Sequence, residues 1–112
     1  MKFDVSHDGA VCIVKVIGSI DGTTSQELQD TLGKLLGPDR KNMVIDCTEL
    51  SYTSSAGLRV LLGGVKDSRR MGGDLRLAAV QAGVRKVLSL SGFDGILKIY
   101  PDASVATQSF AA

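Results

Sequence analysis

Residues 49–62, Glu-Leu-Ser-Tyr-Thr-Ser-Ser-Ala-Gly-Leu-Arg-Val-Leu-Leu, constrain this chain more than any other stretch. A hydroxyl-rich run passes directly into an apolar pattern, with Leu58, Leu61, Leu62 and Val65 at i, i+3, i+4 and i+7. That spacing lays one stripe along a helix. Met43-Val44-Ile45-Asp46 just before it reads as a short buried strand. The unit is therefore strand, hydroxyl loop, helix, with Ser54 and Ser55 at the helix N-terminus. The first backbone N–H groups of a helix lack intrahelical partners and carry the positive end of its dipole, so an anion is favoured there. Either serine can serve as a plain cap, and one of them can also be a site where a phosphoryl group is added and removed.

The flanking segments supply an α/β frame. Phe3 and Val5 alternate with polar neighbours, Asp8-Gly9 is a turn signal, and 11–17 is a second, more buried strand, so the chain opens with a hairpin. Gly18-Ser19-Ile20-Asp21-Gly22 ends that strand. Thr24-Ser25-Gln26-Glu27 fits a capping box, followed by a helix with Leu28, Leu32, Leu35 and Leu36 on one side and Gly37-Pro38 as its stop. The helix after Ser55 runs to Gly72-Gly73, and Lys66, Arg69 and Arg70 in its last turns read as a solvated C-terminus that complements the dipole. Residues 75–80 form a further strand, 81–90 a short helix carrying Val84, Val87 and Leu88, 96–100 a last strand, and Pro101-Asp102 opens a terminal helix with Val105, Ala106 and Phe110. The order β-β-α-β-α-β-α-β-α implies a mainly parallel sheet of about five strands with one antiparallel edge.

Length and composition narrow the function. A chain of 112 residues suits one compact domain, here expected to span 1–112. A net charge of +1 gives no electrostatic argument for nucleic acid or an anionic membrane surface. No apolar run approaches the roughly 20 residues that span a bilayer, and Met1-Lys2-Phe3-Asp4 is unlike a signal peptide, so a soluble cytoplasmic protein is expected. Cys12 and Cys47 sit in or beside strands, without metal or redox spacing, and read as small buried hydrophobes of a reducing compartment.

Catalysis is not indicated. The residue two before Ser55 is Thr53, so the G-x-S-x-G nucleophile elbow is absent, and His7 is the single histidine available as a base. Neither Gly63-Gly64 nor Gly72-Gly73 has the flanks of a phosphate-binding loop. In open α/β sheets, ligands and partners meet the loops at the carboxyl ends of the strands. If the second strand runs parallel to the third, Asp21, Thr23, Thr24, Ser54 and Ser55 share one surface.

Residues 50–62 resemble the signature of the STAS domain, as found in bacterial anti-sigma factor antagonists. Gly18-Ser19-Ile20-Asp21 is similar to the family's turn before the first helix, and Gly72-Gly73-Asp74-Leu75 and the segment 84–93 also match in order and spacing. The resemblance implies a non-enzymatic interaction switch without cofactor. Its partners would be an anti-sigma factor that is also a serine kinase (a GHKL-type ATPase) and a metal-dependent PP2C-type phosphatase. Alignment on Gly57-Leu58 puts the phosphoacceptor at Ser55, with Asp21, Thr23, Thr24, Thr53, Ser54, Ala56, Gly57 and Arg59 as the other expected partner-binding positions. Well-studied members carry an aspartate immediately before the acceptor, where this chain has Ser54. Two alternatives are an unphosphorylated STAS subunit of a lipid-transport or signalling assembly and, behind it, a small serine hydrolase.

Overall fold

A computed structural model describes residues 1–111. The elements in order are β1 (Lys2–Asp8), β2 (Val11–Ile20), α1 (Ser25–Leu35), β3 (Asn42–Asp46), β4 (Leu50–Thr53), α2 (Ser55–Arg70), β5 (Asp74–Ala78), α3 (Ala82–Leu90), a 3-10 turn (Phe93–Gly95), β6 (Ile99–Tyr100) and α4 (Ala103–Gln108). The sheet runs β1-β2-β3-β5-β6, antiparallel between β1 and β2 and parallel elsewhere. The α/β reading with one antiparallel edge holds.

Alternation along the strands separates two faces. Cys12, Val14 and Val16 of β2, Met43 and Ile45 of β3, and Leu75 and Leu77 of β5 pack with Leu28 and Leu32 of α1, Leu58, Leu61 and Val65 of α2, and Val84 and Leu88 of α3. Three helices therefore cover one face. On the other, Val11, Val44 and Ala78 pack against Ala106 of α4, with Tyr100 and Phe110 beside them. Leu62, expected in the α2 stripe, lies at its half-buried margin. Both cysteines are fully buried. Among the described residues, no helix is long and apolar enough to cross a membrane.

Several boundaries differ from the sequence expectation. The hairpin turn is Gly9–Ala10, one residue later than Asp8-Gly9, because Asp8 still pairs with Val11. Residues 50–53 are not loop but a sixth strand. β3 pairs only with residues 11–15 of β2, so the open edge of 18–20 is taken by β4 through a bulge between Gly18 and Ser19. Hydroxyl side chains hide that strand from an apolar-alternation reading. β5 stops at Ala78 because Ala79 adopts φ 55°, outside the extended region. The last strand is only Ile99–Tyr100: the N–H groups of Ile96 and Leu97 both bond back to the Phe93 carbonyl, at 3.0 Å each, and bind that stretch into the turn.

One end of the sheet holds a buried carboxylate. Asp74, 6% exposed, accepts from Arg69 Nε at 3.0 Å, Arg76 Nε at 3.1 Å and the Leu75 N–H, with Lys98 Nζ at 3.9 Å. Arg69, exposed at the end of α2 as its sequence position suggests, thus also ties α2 to β5.

Candidate functional site

The opposite end of the sheet is where β2, β3, β4 and β5 all finish, at Ile20, Asp46, Thr53 and Ala78. Two chain segments meet there. The Ser54 N–H donates to the Ile20 carbonyl at 2.7 Å, continuing the β2–β4 ladder by one step, and beyond that bond each chain turns into a helix. Asp21 and Ser55 are each one residue past the bonded pair.

On the first segment the capping box does not form. Thr24 already has helical dihedrals, φ −82° and ψ −14°, whereas a cap requires an extended residue whose hydroxyl faces the following amides. The Glu27 carboxylate makes no hydrogen bond among the described residues. Asp21 takes the role instead. Its Oδ1 accepts the N–H groups of Thr23 and Thr24, both at 2.8 Å, and its carbonyl accepts the Ser25 N–H at 3.0 Å. The Thr24 hydroxyl accepts the Asp21 N–H at 2.8 Å and lies 3.1 Å from both Asp21 Oδ1 and the Ser19 carbonyl. Donation from the Thr24 and Thr23 amides and the Thr24 hydroxyl holds the Asp21 carboxyl below its ordinary pKa. All of these bonds fall on Oδ1, which leaves Oδ2 free at an exposed position.

On the second segment the two serines divide the work. Ser54 is extended, φ −84° and ψ 172°, and its Oγ accepts the Gly57 N–H at 3.2 Å, so Ser54 is the helix cap. Ser55 is the first helical residue, exposed, and its hydroxyl makes no hydrogen bond among the described residues. The first turn of α2 contains no acidic residue.

Gly57 explains how the helix start comes so close. A Cβ there would fall 2.6 Å from Ile20 Cγ2 and collide with Thr53 Oγ1. Only a bare Cα lets α2 press against the ends of β2 and β4. Thr53, 1% exposed, and Gly57 are therefore buried beneath the surface, as its support. Asp21, Thr23, Ser55 and Arg59 are exposed, and Thr24, Ser54 and Ala56 are half-buried.

From this end a groove of about 900 Å³ runs between α1 and α2, over Leu32, Leu36, Ala56, Val60 and Gly63, with Arg59 on its wall. Sequence reasoning missed Tyr52. It stands 52% exposed on β4, next to Thr53, and an aromatic ring inside a run of hydroxyl residues was the available signal. His7 pairs with Cys12 at the far end of β2, well away from Ser55, so it cannot act as a base for that hydroxyl.

With this geometry in hand, the similarities to known proteins are specific. The family model for the STAS domain matches residues 2–106. BtrV of Bordetella bronchiseptica is 31% identical over 112 residues, which is 100% of this chain and 94% of that protein. The anti-sigma F factor antagonist of Paenibacillus polymyxa is 27% identical over 101 residues, covering 89% of this chain and 86% of its own length. Among solved structures, the Bacillus anti-sigma factor antagonist SpoIIAA superposes with a TM-score of 0.77 in its unphosphorylated form and 0.74 in its phosphorylated form. Sequence identity is 16% in both cases, over 96% of this chain and 95% and 98% of the respective SpoIIAA chains, a likeness of fold. A family match along nearly the whole length, a relative above 30% identity and the shared fold agree: this chain belongs to the STAS domain family.

Proposed function

We propose that this protein is an anti-sigma factor antagonist whose binding to its anti-sigma factor is switched by phosphorylation of Ser55. The observation that carries the reading is the division between the two serines: Ser54 Oγ is committed to the Gly57 N–H, while the Ser55 hydroxyl is exposed and unbonded. The relative from Paenibacillus polymyxa is named an anti-sigma F factor antagonist, and the fold is shared with a protein solved in a phosphorylated form. The partner in this reading is a serine kinase of the GHKL ATPase type. It transfers the γ-phosphoryl group of ATP to Ser55 Oγ, releasing ADP and the hydroxyl proton. A PP2C-type phosphatase hydrolyses the ester and restores the serine.

Physical chemistry makes such a switch effective. A phosphoserine carries about −1.5 to −2 charges near neutral pH. At the start of α2 that charge meets the unbonded N–H groups of Ser55 and Ala56 and no carboxylate of the same turn, so the fold tolerates it. The dipole contributes about 0.3–1 kcal/mol there. A partner that packs over the neutral hydroxyl would instead have to desolvate a dianion. In this reading Asp21, Thr23, Thr24, Ser54, Ala56 and Arg59, exposed or half-buried, supply the contact surface together with Ser55, and the buried Thr53 and Gly57 support it.

The test is intact-mass measurement after incubation with ATP and each candidate anti-sigma kinase of the source genome, with binding followed in parallel. One phosphoryl group should be added to the natural chain and none to Ser55→Ala, and Ser55→Asp should lose binding. Equal binding of Ser55→Ala and Ser55→Asp, with no mass change under any kinase, would overturn the switch in favour of an unswitched STAS module.

A further inference from the structure

Arg59 lies one helical turn after Ser55 on α2 and is exposed. Its guanidinium has no ion pair and no hydrogen bond among the described residues, unlike the other two arginines of the helix. Arg69 is held by Asp74 and the Ile96 carbonyl, and Arg70 lies 3.6 Å from Asp67. The positions three and four residues from Arg59 are Ser55, Ala56, Leu62 and Gly63, and none is acidic. Across the groove, Asp30 accepts from Gln26 Nε2 at 2.9 Å and makes no ion pair with Arg59.

Helix geometry gives this free cation a direction. Side chains four apart are neighbours, and helical side chains lean toward the N-terminus, so position 55 lies within reach of the Arg59 side chain. Given Ser55 as the phosphoacceptor, a reading on which this step rests, we infer that Arg59 is the residue that holds the phosphoryl group after modification. The guanidinium forms an i,i+4 ion pair with the phosphate and orients it over the unbonded amides of Ser55 and Ala56. Phosphorylation then removes two partner contacts together. The hydroxyl becomes a dianion, and the neighbouring guanidinium is drawn back onto its own helix.

The experiment installs phosphoserine at position 55 by genetic encoding, without any kinase, and titrates the phosphate by 31P NMR. An adjacent cation favours the dianion. The midpoint in the Arg59 chain should therefore lie about 0.3 pH unit below that of Arg59→Gln, with Arg59→Lys between them. The difference should shrink in about 1 M NaCl, where the Debye length falls to roughly 3 Å. Thermal melts of the unphosphorylated chains check that the fold is unchanged by these exposed substitutions. Coincident titrations for Arg59 and Arg59→Gln would overturn the inference. Failure of a kinase to modify Ser55 would instead strike at the switch itself and leave the NMR result standing, so the two failures are distinguishable.

Discussion

The Ile20 carbonyl accepts the Ser54 N–H at 2.7 Å, and this bond joins the turn that carries Asp21 to the helix start that carries Ser55. The bond requires α2 to begin in contact with Ile20 and Thr53. Gly57→Ala tests that requirement. Its methyl would overlap Thr53 Oγ1 and sit 2.6 Å from Ile20 Cγ2. Overpacking of about 1–3 kcal/mol outweighs the roughly 1 kcal/mol that alanine gains over glycine in a helix. Gly63, on the same helix, has open space where a Cβ would sit. Urea unfolding should therefore show Gly57→Ala destabilised by about 1 kcal/mol and Gly63→Ala stabilised by about 0.5–1 kcal/mol.

The two serines should separate in the same assay. Ser54→Ala removes the acceptor for the Gly57 N–H and should cost about 1 kcal/mol. Ser55→Ala removes a hydroxyl with no partner, so stability should stay within about 0.5 kcal/mol of the natural chain. Ser54→Asp should keep the cap and gain from the dipole, leaving stability equal or slightly higher.

Asp21 predicts a pH dependence with a definite sign. Its folded pKa is depressed because the Thr24 and Thr23 amides and the Thr24 hydroxyl donate to the carboxylate. A depressed carboxyl contributes stability above its unfolded pKa, and loses it as pH falls through the lower folded value. Asp21→Asn keeps the shape and removes the charge. The stability difference between the two chains should be constant near neutrality and fade in that acid window. A carboxyl NMR titration of Asp21 with a midpoint at or above the ordinary aspartate value would refute the account.

Much of this arrangement is legible in the sequence. Leu58, Leu61 and Val65 announce the buried side of α2 by spacing alone. What stayed hidden depends on partners distant in sequence. β4 exists because the carbonyl and amide groups of 18–20 need bonds that the shorter β3 does not reach. The capping role passes from Thr24 to Asp21 because β2 runs on to Ile20, three residues past the strand read from sequence, so Asp21 is the first residue of the turn and its carboxylate faces the next amides. Tyr52 was concealed by its hydroxyl neighbours, although the register with Ser19 leaves it exposed beside the site.

The cysteines should be inert in the native state. Burial pushes the Cys47 thiol up to about 12 and raises that of Cys12, so neither holds appreciable thiolate near neutral pH. Iodoacetamide at pH 8 should label neither cysteine in the folded chain and both in strong denaturant. Rapid native labelling of Cys47 would show that the β3 end opens far more readily than its packing implies.

At the opposite end of the sheet, Asp74 gathers Arg69 from α2, Arg76 from β5 and Lys98 ahead of β6 around one buried carboxylate. Arg76 extends the link to α4, donating to Ser109 Oγ at 2.7 Å and stacking over the Phe110 ring at 4.0 Å. Removing the shared anion leaves Arg76, only 14% exposed, without its counter-charge, and weakens its hold on the C-terminal segment, which keeps its apolar packing through Ala106 and Phe110. Asp74→Ala should therefore cost about 3 kcal/mol in denaturant unfolding, with early loss of hydrogen-exchange protection in α4. Because the cluster sits at the far end of the strands from Ser55, partner binding by the folded fraction should be unchanged. A loss of binding in chains that remain folded would mean that the two ends are coupled through the sheet.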